Sequence, residues 1–282
     1  MNIEIVGHVC IDNNVTEHAS YTAAGSPAMF MQEILGQFPD CDVTIVAPYG
    51  ADFLPFTKDT TLYPHEPLAI ATMVYENTIR EGKRTQKCFH YETARPVDLD
   101  EQLIELIKAA DVICLAPLAP NYSAAYIQKL LQYKKKEARV VLSPQGWYRQ
   151  FDEANNVKVR DFVEAEAILP IVDVVIVSDQ DHGDMAGIAA EWNSRYGCVV
   201  VMTEAEKGAR VFDGGTQTEV STSPVPPDQI ISSVGAGDIF TAAFIYSFAQ
   251  SHDSIRAAAF ANQIARQCLF CTPDTITIVL PE

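Results

Sequence analysis

Short runs of Val, Ile and Leu recur along this chain, spaced so that a helix fits between successive runs. Residues 3–6, 43–47, 112–116, 140–143, 172–177 and 199–203 are almost unbroken apolar runs, and each predicts a β-strand. Helices are predicted over 28–35, 98–110, 123–136, 159–167 and 184–196. The second of these is the clearest, with Leu99, Leu103, Ile104, Leu106 and Ile107 at helical spacing behind an acidic first turn. Gly197 directly after Tyr196 is a stop signal. Strands that are apolar on both faces and alternate with helices indicate a mostly parallel sheet covered on both sides.

Two segments break this rhythm. Residues 68–76 and 85–91 are strand-like but more polar, and the link between them contains Glu81-Gly82-Lys83-Arg84, a hairpin signal. A hairpin with one wet face, inserted before the main run of strands, predicts a small β lid formed by about 12–24 and 68–92. Runs at 209–212 and 218–221 predict an antiparallel edge, followed by an amphipathic helix over 238–250, a helix over 254–269 and a last strand over 275–280. There is no internal repeat and no low-complexity linker. The expectation is one α/β domain, 1–282, doubly wound, with helices on both faces of a mostly parallel sheet.

Composition narrows the function. Of 282 residues 48% are hydrophobic, enough for a sizeable core, yet no apolar run approaches the ~18 residues that span a bilayer. The first residues, Met1-Asn2-Ile3-Glu4, lack the basic region and long apolar stretch of a signal peptide. A net charge of −17 argues against nucleic acid or an anionic membrane as partner. The seven scattered cysteines fit a reduced, cytoplasmic protein, and Cys268-x-x-Cys271 has no second pair with which to build a zinc site.

Candidate chemistry concentrates at Ser232-Ser233-Val234-Gly235-Ala236-Gly237-Asp238, at the head of a helix. Two glycines one residue apart allow the backbone close to a ligand, and the helix start offers unpaired N–H groups and positive dipole to a phosphate. Asp238 is a carboxylate where an anion would sit, so it is either a helix cap or a base for an attacking hydroxyl. Other candidates follow strands, where open α/β sheets bind ligands. Asp12, extended by Asn13 and Asn14, suits a polyhydroxylated ligand or forms an Asx-turn. Arg149 has the planar fork for phosphate oxygens, or is a surface residue; Lys207 lies by a nucleotide or is simply solvated. No Gly-x-Gly-x-x-Gly follows the first strand and no Walker-type loop occurs, against dehydrogenases and P-loop enzymes.

The chain resembles the ribokinase-like, or PfkB, carbohydrate kinases over essentially its full length. The resemblance rests on Val6-Gly7-x4-Asp12, Ala24-Gly25, Ser143-Pro144-Gln145-Gly146, Thr203-Glu204-Ala205-Glu206-Lys207-Gly208 and, most specifically, Val234-Gly235-Ala236-Gly237-Asp238. It implies a ribokinase-like fold and ATP- and magnesium-dependent phosphorylation of a hydroxyl on a polyol, sugar or nucleoside. It further implies Asp238 as base, Gly235, Ala236 and Gly237 as backbone anion hole, and Arg149 on the transferring phosphate. Substrate contacts are implied at Asp12, Asn13, Gly25, Ser26, Met29 and Gln145, and nucleotide contacts at Thr203, Glu206, Gly208 and Asn262. Such a protein is a monomer or a lid-mediated homodimer.

The departures are informative. Where the family places paired glycines and a downstream Asn, this chain reads Ala24-Gly25-Ser26-Pro27-Ala28-Met29. Its magnesium-organising Asn-x-x-Glu is here Ser178-Asp179-Gln180-Asp181, which leaves Asp181 to act through water or to cap the helix near 184. Ser232 replaces the Asp that opens the last motif, so a monovalent-cation site stays undecided. With Gln145-x-x-x-Arg149-x-Phe151-Asp152, these changes bring the chain nearest to the myo-inositol kinase branch. The expected acceptor is myo-inositol or a similar cyclic polyol. The alternatives are a nucleoside such as adenosine or cytidine, whose base Met29, Phe30, Met73 and Tyr75 would line, or a catalytically silent binding protein.

Overall fold

The structure, a computed structural model, describes residues 1–16, 19–57, 59–69, 71–80, 83–92, 94–272 and 275–280. Its main sheet begins with β1 (Asn2–Gly7), flanked on one side by β4 (Asp42–Val46) and β5 (Leu62–Tyr63). On the other side lie β8 (Val112–Ala116), β9 (Arg139–Leu142), β12 (Val174–Ser178) and β13 (Val199–Thr203). All these neighbours pair in parallel. β14 (Gly208–Asp213) and β15 (Thr216–Ser221) close the far edge in antiparallel fashion, as the turn at Gly214-Gly215 allows. The mostly parallel α/β sheet expected from the apolar runs, which the resemblance also implies, is thus present.

Both faces of this sheet are covered because strand side chains alternate. Ile3, Ile5 and Ile45 point toward α1 (Pro27–Leu35), α6 (Ala236–Ser251) and α7 (Ser254–Cys268). Val6, Val46, Ile113 and Leu115 point toward α2 (Glu101–Ala109), α3 (Ala124–Leu131) and α5 (Met185–Tyr196). Local chemistry fixes the helix ends: Asp100, Ser123, Asp184 and Asp253 each accept backbone N–H groups as N-caps. Gly197 stops α5 in the left-handed conformation.

A second sheet of four strands stands beside the first, in the order β3-β2-β6-β7. It comprises β2 (Cys10–Val15), β3 (Ser20–Gly25), β6 (Val74–Arg80) and β7 (Lys83–Phe89), with β2 and β6 parallel at its centre. The sequence shows only one of its two hairpins. Polar Asp12-Asn13-Asn14, for which an Asx-turn was the alternative to a ligand contact, is mid-strand, since this sheet leaves part of its surface wet. The strand expected from residue 68 begins at Val74, and the expected polar link is itself strand through Arg80 and from Lys83. The turn signal at Glu81-Gly82 lies outside the described residues, as do Glu17 and His18.

Three other expectations are corrected. The helix over 159–167 is reduced to α4 (Ala165–Ile168), because Val157–Val159 is strand β11, paired with β10 (Arg149–Phe151). Val159 and Val163 are both 70% exposed, so the segment presents no buried apolar face at these positions. Helix α6 is not amphipathic: Ile239 through Ile245 are buried without interruption, wedged among the sheet, α1 and α7. Residues 275–280 form no strand. Their backbone is instead held by two glutamines, Gln37 at Ile276 and Ile278 and Gln267 at Val279.

Among the described residues Glu4 is the one carboxylate on a buried side chain, in the middle of β1 opposite Thr44. Its Oε2 has no hydrogen-bond partner, and burial pushes its pKa up to about 7. An acid whose pKa is raised by folding stabilises fully below its unfolded value and loses that contribution as pH rises toward the folded value. Stability should therefore fall between about pH 4.5 and 7 and level off above. Glu4→Gln removes the ionisation, so at pH 8 the variant should be more stable by on the order of 3 kcal/mol. Thermal melts of both proteins at pH 5 and pH 8 check this; a difference that does not grow with pH contradicts it.

Candidate active site

Asp238 lies in the first turn of α6, behind Gly235, which takes φ 77° as the helix N-cap. The N-cap position is thus held by Gly235 and not by Asp238, which sits two residues into the helix. Of the amides expected in the anion hole, that of Ala236 is taken by the Ser233 carbonyl at 3.2 Å, whereas those of Gly237 and Asp238 have no acceptor among the described residues. A carboxylate and outward-facing N–H groups therefore share one helix start. A Cβ on Gly235 would come within 2.7 Å of the Phe30 ring, so α1 presses directly on the loop.

The charges around Asp238 come from three other elements. Burial raises its pKa most; Arg149 lowers it, and Asp181 and Asp12 raise it again, leaving it at about 7. A helix start alone would give an ordinary or depressed value, but desolvation with two like charges outweighs the terminal dipole. Residues from the middle of β2, the start of β10, the loop after β12 and the first turn of α6 thus meet electrostatically at one place. That place is where parallel sheets bind ligands.

Asp12 faces this site from mid-β2. Its carboxylate rests on Gly25 of β3, where an added Cβ would lie 2.2 Å from Oδ2. Only glycine leaves room for it. Strand alternation puts Asn13 on the opposite face, where it accepts from Thr22 Oγ1 at 2.9 Å, so Asp12 and Asn13 do not act together. Asn14 shares the Asp12 face instead. It begins a row of amides missed in the sequence: Gln86 donates to Asn77 at 2.8 Å, and Asn77 donates to Asn14 at 3.1 Å. Ser26 is buried at the start of α1, where its Oγ accepts from the Met29 amide at 3.2 Å. Its hydroxyl is a helix cap, and Met29 is packed against the core. Gln145 is half-buried in the turn Pro144–Tyr148, and its carboxamide has no partner among the described residues.

Arg149, half-buried at the start of β10, donates from Nη1 to the Tyr75 hydroxyl at 2.8 Å and to the Leu118 carbonyl at 3.4 Å. It is not a free surface residue. His8 is fully buried beneath them, accepting the Leu118 amide at Nδ1 (2.9 Å) and facing the Ala94 carbonyl with Nε2 (3.0 Å). Burial pushes its pKa down to about 4, so it is a neutral structural residue. Cys10 is likewise a packed thiol whose pKa burial raises.

Asp181 is half-buried, with Oδ2 accepting the Ser178 amide at 2.8 Å. Burial raises its pKa, and its Oδ1 has no hydrogen-bond partner among the described residues. The helix cap beyond it is Asp184, not Asp181. Ser232 Oγ accepts the Val234 amide at 3.2 Å, a local turn bond. Among the described residues no group of three or more His, Cys, Asp or Glu could hold a metal ion.

Of the residues expected at a nucleotide, Gly208 and Asn262 come together, packed around the Val220 carbonyl that Asn262 binds at 2.8 Å. Thr203 bonds the Val177 carbonyl at 3.2 Å, at the end of β13. Glu206 stands exposed on the turn Ala205–Lys207, with no ion pair among the described residues. Beside it Glu204 and Arg210 form a two-pronged ion pair at 2.7 and 3.2 Å, which the sequence gave no sign of.

Residues 72–278 match the family described as pfkB family carbohydrate kinase. A cytidine kinase of Thermococcus kodakarensis is 24% identical over 95% of this chain and 96% of its own length. A pyrophosphate-dependent kinase in the ribokinase family, solved with a pyrophosphate analog and myo-inositol, superimposes with TM-score 0.73 at 20% identity over 95% of each chain. The ribokinase of Giardia lamblia superimposes with TM-score 0.73 at 15% identity, over 96% of this chain and 93% of its own. No helix among the described residues is long and apolar enough to cross a membrane.

Proposed function

This chain belongs to the pfkB family of carbohydrate kinases, and from that premise we propose that it phosphorylates a hydroxyl of a small cyclic polyol, myo-inositol being the best match, with ATP as donor. The observation that carries the reading is Asp238, set beside unpaired helix-start amides and facing Arg149, Asp181 and Asp12. Asp238 takes the proton of the attacking hydroxyl as phosphoryl transfer proceeds. With a pKa of about 7 it is poised for that exchange near neutral pH. The amides of Gly237 and Asp238 and the fork of Arg149 receive the charge of the transferring group. Asp12, seated on Gly25, binds acceptor hydroxyls from the four-stranded sheet, which serves as the lid. The family match starts at Thr72, so the roles of Asp12 and Gly25 rest on geometry alone.

The residues also fit a magnesium ion held chiefly by water and phosphate oxygens. Asp181 would anchor it through the oxygen it keeps unpaired; the ion, when bound, neutralises phosphate charge. Gly208, Asn262 and Thr203 form the wall against which a nucleotide would lie.

The acceptor follows from what is available to it. Met73 and Tyr75, which a nucleobase slot would need, are 1% and 2% exposed and packed with Cys10, Cys88 and Leu118. What faces the site from the lid is carboxylate and amide, matched to a ring of hydroxyls. The second reading is a nucleoside, supported by the full-length similarity to a cytidine kinase. Turnover of inositol isomers, pentoses, hexoses, adenosine and cytidine, each with ATP and with pyrophosphate, decides among them. Activity on cyclitols is expected; activity on nucleosides alone overturns the acceptor. ATP binding without turnover of any member favours a silent protein on this fold.

A further inference from the structure

The cation at the phosphoryl side and the sheet at the acceptor side are joined through one hydroxyl. Tyr75 lies on β6, beside Asp12 on β2 in the same register, and on the same face of the lid. Its Oη accepts from Arg149 Nη1 at 2.8 Å and donates to the Leu118 carbonyl at 2.8 Å. The Arg149 guanidinium carbon lies 5.0 Å from the Tyr75 ring centroid, within cation–π range. The backbone repeats the connection. Arg149 opens β10, and the far end of the β10–β11 hairpin is fastened to the lid edge strand, where the Cys88 amide donates to Asn155 at 2.9 Å and Lys87 bridges to Asn156.

We propose that Tyr75 is a positioning residue: its hydroxyl and ring set the Arg149 fork relative to Asp238, so that the strand pair carrying Asp12 and the phosphate cation move as one unit. The proposal rests on the kinase reading above. Three observations support it. Tyr75 is 2% exposed, so neither partner is displaced by solvent. The Leu118 carbonyl that anchors the hydroxyl belongs to a residue whose amide is itself fixed on His8, so the support is rigid. Arg149 also acts electrostatically on both Asp238 and Asp181, so a shift of its fork is felt at the base.

The test is a double-mutant cycle with Tyr75→Phe and Arg149→Met. Phe keeps the ring and its packing and removes only the hydroxyl. A hydrogen bond to a charged group implies a loss in kcat of about 10- to 150-fold for Tyr75→Phe, with the acceptor KM changed by less than about threefold. In the Arg149→Met background the same substitution should cost almost nothing, because Tyr75 acts through Arg149. The ascending limb of kcat/KM against pH should also move to higher pH in Tyr75→Phe. Of the groups facing Asp238, only Arg149 is positive, while Asp12 and Asp181 oppose its ionisation. A merely structural tyrosine would lower the melting temperature and leave that limb in place. Equal costs in the two backgrounds, or an unmoved limb with native kcat, overturn the proposal. Wild-type enzyme that turns over no acceptor overturns the kinase reading instead, so the two failures are distinguishable.

Discussion

Asp238→Asn should lower kcat by about 100- to 10,000-fold while leaving the fold and nucleotide affinity in place. Asn fills the same volume beside the same free amides, so only proton acceptance is lost. The pH profile makes the prediction specific. With the carboxyl pushed up to about 7, the ionised fraction of the native enzyme grows as pH rises, and kcat/KM should climb through neutrality to a plateau. The residual activity of the Asn variant should be flat across that range. Stability should move the other way. A raised acid pKa means stability falls as pH rises toward about 7, and Asn escapes this, so the inactive variant should melt higher than native protein at pH 8. Rates from coupled product release and melts at pH 5 and 8 measure both effects. Native turnover in the variant sinks the assignment of the base.

The main sheet was legible because its strands are buried on both faces, which writes unbroken apolar runs such as Val174-Val175-Ile176-Val177 into the sequence. The four-stranded sheet was half legible for the opposite reason. A strand such as Cys10–Val15, with Asp12, Asn13 and Asn14 partly exposed, carries no apolar signature, and its two faces separate Asp12 from Asn13. Helix α6 misled by being apolar all round: it is a central helix, and no polar stripe marks its outer side. Residues 159–167 are helical only at their end, because Val157–Val159 pairs as a strand with Arg149–Phe151 and Val159 and Val163 face outward. At the site, Gly235-Ala236-Gly237-Asp238 was readable because loop, helix start and carboxylate are contiguous. Tyr75 with Arg149 was not. Those two residues are 74 positions apart, and only the packing of the lid against the strand ends brings them together. The pKa of Asp238 was unreadable on the same ground, because Asp12, Arg149 and Asp181 reach it from separate elements.

Gly235→Ala should be nearly as damaging as loss of the base, although it removes no functional group. Two physical demands meet at this residue. Its φ of 77° is one that an L side chain adopts at a cost of roughly 1–2 kcal/mol. The new methyl would also point at Phe30 Cδ1, 2.7 Å away, closer than real side chains approach. The loop must move, and the amides of Gly237 and Asp238 move with it. A misplaced anion-binding donor costs about 100- to 1,000-fold in kcat, with ground-state binding less affected. The two demands can be separated. Phe30→Ala in the same chain clears space for the methyl but leaves the left-handed backbone, so the double variant should regain part of the lost rate and not all of it. Steady-state kinetics of both single variants and the double, with thermal melts to confirm folding, measure this. If Phe30→Ala restores nothing, the ring does not hold the loop, and the backbone angle alone sets the cost. If Gly235→Ala keeps native kcat, the amides at the start of α6 are not where the transferring charge is received.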